Sequence, residues 1–526
     1  MCDMQTNVSV MMIELALNYL KIYFPYFIFG SIFSFAVWWK RRVERIRSQY
    51  VNVENGIFIP GSDNLPFVDY FIHGFTERNI SAPFGDFEMS FSIGIPIVLV
   101  SEPIIIKEIL KSKASEFDKG ELTIAGVELI AGRENLFSAD GAVWQHQRLM
   151  IDPAFRPAFM QLLSGAVITT VQSTIKSWKH KGSVPSDLTA ELSNVSLNII
   201  CSVAFGLNKS DNEGQTIQNH PIVESYKTIL NYCMMNMMGL KFFASKKAQE
   251  AATNHIESVA KSVLERRRQS SDHNNLIAST LIDLLDVDYS STDEGDSSNT
   301  EIAAAGKRAK KLTDRQIIDN IKIFLFAGHD STTSTMLWVL YLLALHPSIQ
   351  QKVHEEAAQA IPDPSLVTFE QLKGLTYLRC VMKETLRLYP PAWAINRSPK
   401  QDVTVAGFHI PKGASIMINT LRLHRREDLG WEKPLEFLPE RWMEENERSH
   451  QSKASFCYLP FGGGSRSCVG QPLAEMEMLA VLALTLLEFS ATLVQVGGRK
   501  NDQSIDFFCG ATIRPKHVKN LRLVPR

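Results

Sequence analysis

Thr313-Asp314-Arg315-Gln316 has the pattern of a capping box, in which a hydroxyl and an amide three residues on satisfy each other's backbone N–H groups. An apolar repeat of helical period runs from it to Pro347, a residue that cannot continue a helix interior. The interval is some 32 residues, or about 48 Å of helix at ~1.5 Å per residue. So long a helix must cross the domain, and the rest of the chain has to be built around it. At its middle stands Ala327-Gly328-His329-Asp330-Ser331-Thr332-Thr333, polar and small where a core helix should be apolar. A mid-helix glycine costs about 1 kcal/mol, and hydroxyls there bond back to carbonyls one turn earlier. Inconsistency of this kind between local sequence and fold is expected at functional sites.

A second stretch, Phe461-Gly462-Gly463-Gly464-Ser465-Arg466-Ser467-Cys468-Val469-Gly470, leads into an apolar segment over residues 469–487 that reads as a helix. A cysteine that binds iron must be held as thiolate, kept from oxidants and approached by backbone N–H groups. Three consecutive glycines permit that approach, Gly470 leaves room for a flat cofactor face, and the following helix dipole favours negative charge at its start. On this reading Cys468 is the axial ligand of a haem iron, Arg466 pairs with a haem propionate, and Phe461 covers the sulfur from water. Two other readings stand beside it: an anion-binding loop before a helix, or a cysteine acting as a small buried hydrophobe. A phosphate loop would need a Gly-Lys-Ser/Thr that is missing here.

The chain of 526 residues is 45% hydrophobic, enough for a large core, and shows no internal repeat. Its net charge of −1, from 55 basic and 56 acidic side chains, gives no bulk attraction to nucleic acid. Seven cysteines lie scattered without CxxC spacing, as in a protein of a reducing compartment. Residues 22–39 carry no charge, end in Trp38-Trp39 and are followed by Lys40-Arg41-Arg42. That pattern predicts a membrane-crossing helix with the bulk of the chain on the cytosolic side. Alternation over Phe91 to Val100 predicts a small sheet, residues 166–268 read as amphipathic helices, and 289–311 as a solvated loop.

Every fixed position of Phe-x-x-Gly-x-Arg-x-Cys-x-Gly is filled between Phe461 and Gly470, and the loop thereby resembles the cysteine-ligand signature of the cytochromes P-450, the haem-thiolate monooxygenases. Further elements resemble that family in the same order. Trp144 and Arg148 match its propionate-holding Trp-x-x-x-Arg, and Arg397 stands where another propionate-binding arginine is found. Ala327 to Thr333 resembles the oxygen-activation motif, implying catalytic roles for Asp330 and for Ser331 or Thr332, with Ser331 in the place of the usual threonine. Glu384-Thr385-Leu386-Arg387 with Arg441 resembles a structural triad behind the haem. Residues 122–132 match a loop that covers substrate, and Phe507 to Gly510 a hairpin tip reaching the same cavity.

The resemblance implies a mostly α fold with small β-sheets, in one catalytic domain over residues 46–526 behind an anchor segment at 1–45. It implies haem b as cofactor, NADPH acting through a reductase, cytochrome b5 as accessory donor, and a single-pass location in the endoplasmic reticulum membrane. The implied reaction inserts one oxygen atom from dioxygen into a lipophilic substrate, such as a fatty acid, sterol or xenobiotic. Ala327 replaces the glutamate that some relatives esterify to their haem, so the haem is expected without an ester link. A haem isomerase or dehydratase of the same fold, and a non-enzymatic haem sensor or electron carrier, are the alternatives.

Overall fold

The computed structural model describes residues 41–42, 87–92, 95–180, 187–205, 221–237, 245–269, 312–443, 456–494, 507–509 and 512–526. The expected anchor at 22–39, the solvated loop at 289–311 and the hairpin tip at Gly510 lie outside them. Ten principal helices follow in order: α1 Glu121–Ala131, α2 Gly141–Ile151, α3 Pro157–His180, α4 Leu188–Phe205, α5 Pro221–Met237, α6 Lys246–Gln269, α7 Asp314–Leu345, α8 Pro347–Ala360, α9 Thr376–Leu388 and α10 Gln471–Glu488. Small sheets accompany them, and the mostly helical class expected from sequence is the one observed.

Helix α7 is the long helix of the sequence, 32 residues starting at a true capping box. Thr313 Oγ1 accepts from the Gln316 N–H at 3.2 Å, and Gln316 Oε1 accepts from the Thr313 N–H at 3.0 Å. Every residue from Thr332 to Leu343 is buried, which is the mark of a helix enclosed on all sides. Helices α4, α6, α9 and α10 pack around it. Among the described residues α3 and α4 are also long and apolar enough to cross a membrane. They are nevertheless core helices: they pack on each other, on α10 and on α7, and bury Val167, Trp178, Leu192 and Ile199.

The largest sheet has the order β1-β2-β7-β4-β3, from Phe87–Ser92, Ile95–Val100, Ser415–Asn419, Ala394–Pro399 and Phe117–Asp118. The predicted alternation appears as the antiparallel pair β1/β2. Two-residue β3 matters most for the site, because pairing Asp118 with Ser398 on β4 brings the turn at Lys119 beside Arg397. Strands β5 Val403–Val405 and β6 Phe408–Ile410 form a separate pair. The C-terminal pairs are β8 Phe489–Leu493 with β11 Leu521–Pro525, and β9 Phe507–Cys509 with β10 Ile513–Pro515.

Residues 122–132, expected as a covering loop, are instead almost wholly α1. Gly120 and Gly132 bound it with φ of +77° and +76°, values that L side chains rarely adopt. A Cβ on Gly132 would also lie 2.2 Å from Asp319 Oδ2 on α7. The following segment is pinned to the same helix: Asp319 Oδ2 accepts from the Glu134 N–H at 3.1 Å, and Asn320 Oδ1 from the Leu136 N–H at 2.9 Å. Asn320 Nδ2 then donates to Gln147 Oε1 at 3.0 Å, fixing α2 against α7.

Candidate haem site

Residues 461–470 form a loop that meets α10 at Gly470. Its glycines have a role other than the one their composition suggests. Gly462 and Gly464 adopt φ of +75° and +70°, and a Cβ on Gly464 would fall 1.9 Å from the Leu110 carbonyl oxygen. They let the loop turn and lie flat against the helical segment before β3. The N–H groups that face the sulfur come instead from Gly470 and Gln471, at the start of α10. Cys468 N–H donates to the Phe461 carbonyl at 2.8 Å, closing the loop on itself, while the Phe461 ring packs at the edge of the main core.

The Cys468 side chain has accessible surface and yet is enclosed by protein, as a group on the wall of an internal cavity is. Burial pushes its pKa up; the Gly470 N–H, the Arg148 charge, the Gln471 N–H and the Lys119 charge pull the other way. A thiolate is therefore half provided for, and a bound metal cation would supply the remaining stabilisation.

Near the sulfur, three cationic side chains converge. Burial and then the charges of Arg397 and Arg466 drive the Lys119 pKa well below the lysine range. Arg397 is pushed down to about 10, by burial first and by Arg466 second. Arg466 is lowered by burial, against the pull of Asp140. Its guanidinium donates to the Ala139 carbonyl at 2.8 Å, pairs with Asp140 and lies 4.3 Å from the Trp144 ring centroid. Lys119 Nζ sits 3.2 Å from the Phe137 ring centroid, with no carboxylate partner among the described residues. Such crowding of like charges out of bulk water is favourable only with anions among them. Haem carries two carboxylates on one edge, and the donor set fits it. Arg148, the other half of the Trp144 pair, turns elsewhere: Nη1 donates to the Ser467 carbonyl at 2.8 Å and Nε pairs with Asp152 at 2.6 Å. It thus braces the residue before the cysteine.

Sequence reasoning missed Lys119, because a single lysine after Phe117-Asp118 carries no periodic or motif signal. Only the β3/β4 pairing reveals it.

On α7 the polar interruption divides between two faces. Ala327 is exposed and Ser331 half-buried, one turn apart, and Ser331 Oγ donates to the Ala327 carbonyl at 3.0 Å. Thr332 is buried on the other side, donating to the Gly328 carbonyl at 3.0 Å and lying 3.3 Å from Ser196 Oγ. Beside Ser196 and Thr332 is the carboxyl of Glu477 from α10, whose Oε1 has no hydrogen-bond partner among the described residues. Burial pushes the pKa of Glu477 up to about 7, against these two hydroxyls. Asp330 is engaged by the chain's end, with Thr512 Oγ1 donating to Oδ2 at 2.8 Å and Arg514 paired to Oδ1. His329 is buried between Tyr226 and Phe326, away from the open face.

Behind the loop lies a buried ionic cluster. Arg387 binds both oxygens of Glu384 at 2.9 and 2.8 Å, Arg441 Nε donates to Oε1 at 3.0 Å, and Trp442 Nε1 to Oε2 at 2.9 Å. Burial raises the pKa of Glu384, but the hydrogen bond and charge of Arg387, with Arg441, outweigh it and hold the carboxyl below its usual range. The three residues singled out in the sequence do meet.

The comparisons with known proteins agree with this geometry. The sequence profile of the family described as Cytochrome P450 matches residues 65–519. Cytochrome P450 97B2, chloroplastic, of Glycine max is 28% identical over 82% of this chain and 79% of its own length. Cytochrome P450 3A12 of Canis lupus familiaris is 27% identical over 84% and 88%. Lithocholate 6-beta-hydroxylase of Mesocricetus auratus is 25% identical over 89% and 91%. With the family profile spanning most of its length, and with a cysteine, a cationic cradle and a polar helix break placed as described, this chain belongs to the cytochrome P450 family of haem-dependent oxidoreductases.

Proposed function

We propose that this protein is a membrane-anchored monooxygenase acting on a lipophilic substrate, with electrons delivered from NADPH by a separate reductase and cytochrome b5 as accessory donor. The observation that carries the reading is the enclosed Cys468 thiol, faced by two backbone N–H groups and by the Lys119–Arg397–Arg466 cluster. Haem, when bound, activates dioxygen so that one atom enters a C–H bond and the other leaves as water, with two electrons and two protons consumed.

The chain's own residues do the rest. Cys468 holds the iron, with Gly470 and Gln471 tempering the thiolate. Lys119, Arg397 and Arg466 bind the propionates, and Arg148 holds the Ser467 carbonyl beside the ligand. Ser331, on the open face of α7, presents a hydroxyl to the oxygen site, and Asp330 connects that site to protons from solvent. The location proposed is the endoplasmic reticulum membrane, with residues 22–39 as the single span and the catalytic domain in the cytosol.

The test is to reduce the purified protein under carbon monoxide, then to add reductase, NADPH and a series of fatty acids, sterols and xenobiotics. We expect a band near ~450 nm, the signature of thiolate ligation, lost in Cys468→Ala. At least one lipophilic class should shift the ferric spectrum and stimulate NADPH consumption with formation of hydroxylated product. A reduced spectrum without that band, or retention of it in Cys468→Ala, would defeat the ligand assignment.

A further inference from the structure

A fully buried histidine joins the ionic cluster behind the site to the loop that carries the cysteine. His424 follows the short helical turn Thr420–Leu423. Its carbonyl oxygen accepts from Arg387 Nη1 at 2.9 Å, the same guanidinium that grips Glu384. Its ring Nε2 accepts the backbone N–H of Leu459 at 2.8 Å. An imidazole nitrogen that accepts carries no proton, so the ring proton belongs on Nδ1. Nδ1 faces the Leu386 and Arg387 carbonyls at the end of α9, where a helix leaves carbonyls unpaired, though without a hydrogen bond of good geometry. Burial, followed by the charge of Arg387, pushes the ring's pKa down to about 3. The ring is neutral, as its acceptor role requires.

Leu459 is the residue from which the iron-ligand loop departs. Its carbonyl accepts from the Gly462 N–H at 3.1 Å, and the Phe461 carbonyl then accepts from Cys468 N–H at 2.8 Å. Its side chain is buried, and a Cβ on Gly463 would come 3.0 Å from its Cδ2. The Leu459 residue is therefore tied to the loop both through its carbonyl and through its side chain, which packs against Gly463.

We infer that His424 is a positioning residue for the iron ligand: its neutral imidazole fixes the Leu459 peptide, and through it the Cys468 loop, onto the Glu384–Arg387 ion pair. The inference rests on Cys468 being the haem ligand. A buried N–H left without an acceptor is destabilising. Rotation of the Leu459 peptide toward another acceptor relieves that cost and displaces the Phe461 carbonyl, which holds the cysteine's own N–H.

The test compares His424→Phe, which keeps a ring but removes the acceptor, with His424→Gln, whose amide oxygen reaches the same point. At equal haem content, His424→Phe should lose about half or more of the ~450 nm band to shorter wavelength, with a shifted iron midpoint potential, and His424→Gln should restore both. Should His424→Phe fail to take up haem, the same question is put from the other side by replacing Leu459 with its α-hydroxy acid analogue. That change removes only the N–H donor and should produce the same loss. The inference is overturned if His424→Phe or the Leu459 ester keeps the wild-type band and potential, or if His424→Gln is as impaired as His424→Phe. Cys468→Ala separates this outcome from a failure of the ligand assignment: it loses the band whenever Cys468 is the ligand, whatever His424 does.

Discussion

Arg514, on a three-residue strand close to the C-terminal end of the chain, closes an ion pair with Asp330 at the centre of α7. Thr512 binds the other carboxylate oxygen at 2.8 Å. The acid is thus held on both oxygens in the one position from which it is proposed to connect the site to solvent protons. Arg514→Met should release it, lowering turnover by a factor of about 10 or more while Asp330→Asn does the same. The double variant should be no worse than either single one, because the two residues act as a unit. Steady-state turnover of the four proteins checks this; additive losses would show that Arg514 acts independently of the acid.

Ser331 and Thr332 are adjacent in sequence and opposed in space. Ser331→Ala should uncouple turnover, with NADPH consumed and hydrogen peroxide released in place of product. Thr332→Ala should chiefly lower stability, by about 1 kcal/mol for a lost internal hydrogen bond. Peroxide yield and urea midpoints, with an intact carbon monoxide spectrum as control, distinguish them. Equal peroxide yields would indicate that Thr332 also reaches the oxygen site.

Lys119 faces two arginines, with no carboxylate paired to it among the described residues. Lys119→Met should relieve repulsion in the apoprotein and remove a propionate contact in the holoprotein. Haem transfer to an acceptor protein should quicken by about 10-fold, equivalent to ~1.4 kcal/mol of lost charge-assisted binding. Apoprotein stability should be unchanged or higher. An unaltered haem-loss rate would remove Lys119 from the cradle.

Glu477 is raised from 4.5 to about 7 by burial. The folded state therefore holds this proton more tightly than the unfolded chain does. Between about pH 4.5 and pH 7 the unfolded chain gives up the proton while the folded one keeps it, so stability falls as pH rises through that window. Above the folded pKa the loss is complete, at an upper bound on the order of 3 kcal/mol. Glu477→Gln, permanently neutral, should be more stable than the parent at pH 8 and similar to it at pH 4 in denaturant unfolding. A difference independent of pH would mean that the carboxyl does not titrate in this range.

Features of the site that were legible in the sequence are those whose signal is local. The capping box at Thr313 and the uninterrupted period up to Pro347 define α7, and the run from Phe461 to Gly470 marks the ligand loop through fixed offsets. The meeting of Glu384, Arg387 and Arg441 was readable through the resemblance: the apolar neighbourhood of Glu384 and Arg387 asks for a paired charge, and the family's triad supplies Arg441 as the third member. Contacts made by very short strands were not readable. Lys119 reaches Arg397 only because two residues of β3 pair with β4, and Arg514 reaches Asp330 from a three-residue strand 184 positions away. Such strands are too short for period-two alternation to register. The role of the glycines was misread for a related reason: a carbonyl at Leu110, distant in sequence, decides what Gly464 must be. For Glu477 a signal did exist, an acid at the head of the apolar run from Met478 to Leu484 in α10, and it calls for the same reading as any buried charge.

The Ile513 carbonyl accepts from Ser334 Oγ at 2.5 Å and from Trp338 Nε1 at 3.0 Å, across 179 and 175 residues. During synthesis, helix α7 emerges long before the strand that staples it. Closing so wide a loop carries an entropic penalty that grows only as the logarithm of its length, about 0.6 kcal/mol per doubling. The delay, however, is set by translation itself, which proceeds at ~5–20 residues per second. For roughly 10 to 40 seconds at that pace, Ser334, Trp338 and Asp330 have no C-terminal strand to meet. The nascent chain therefore acquires the partners of these three side chains late, and a ribosome that stalls short of β10 leaves helix α7 without them.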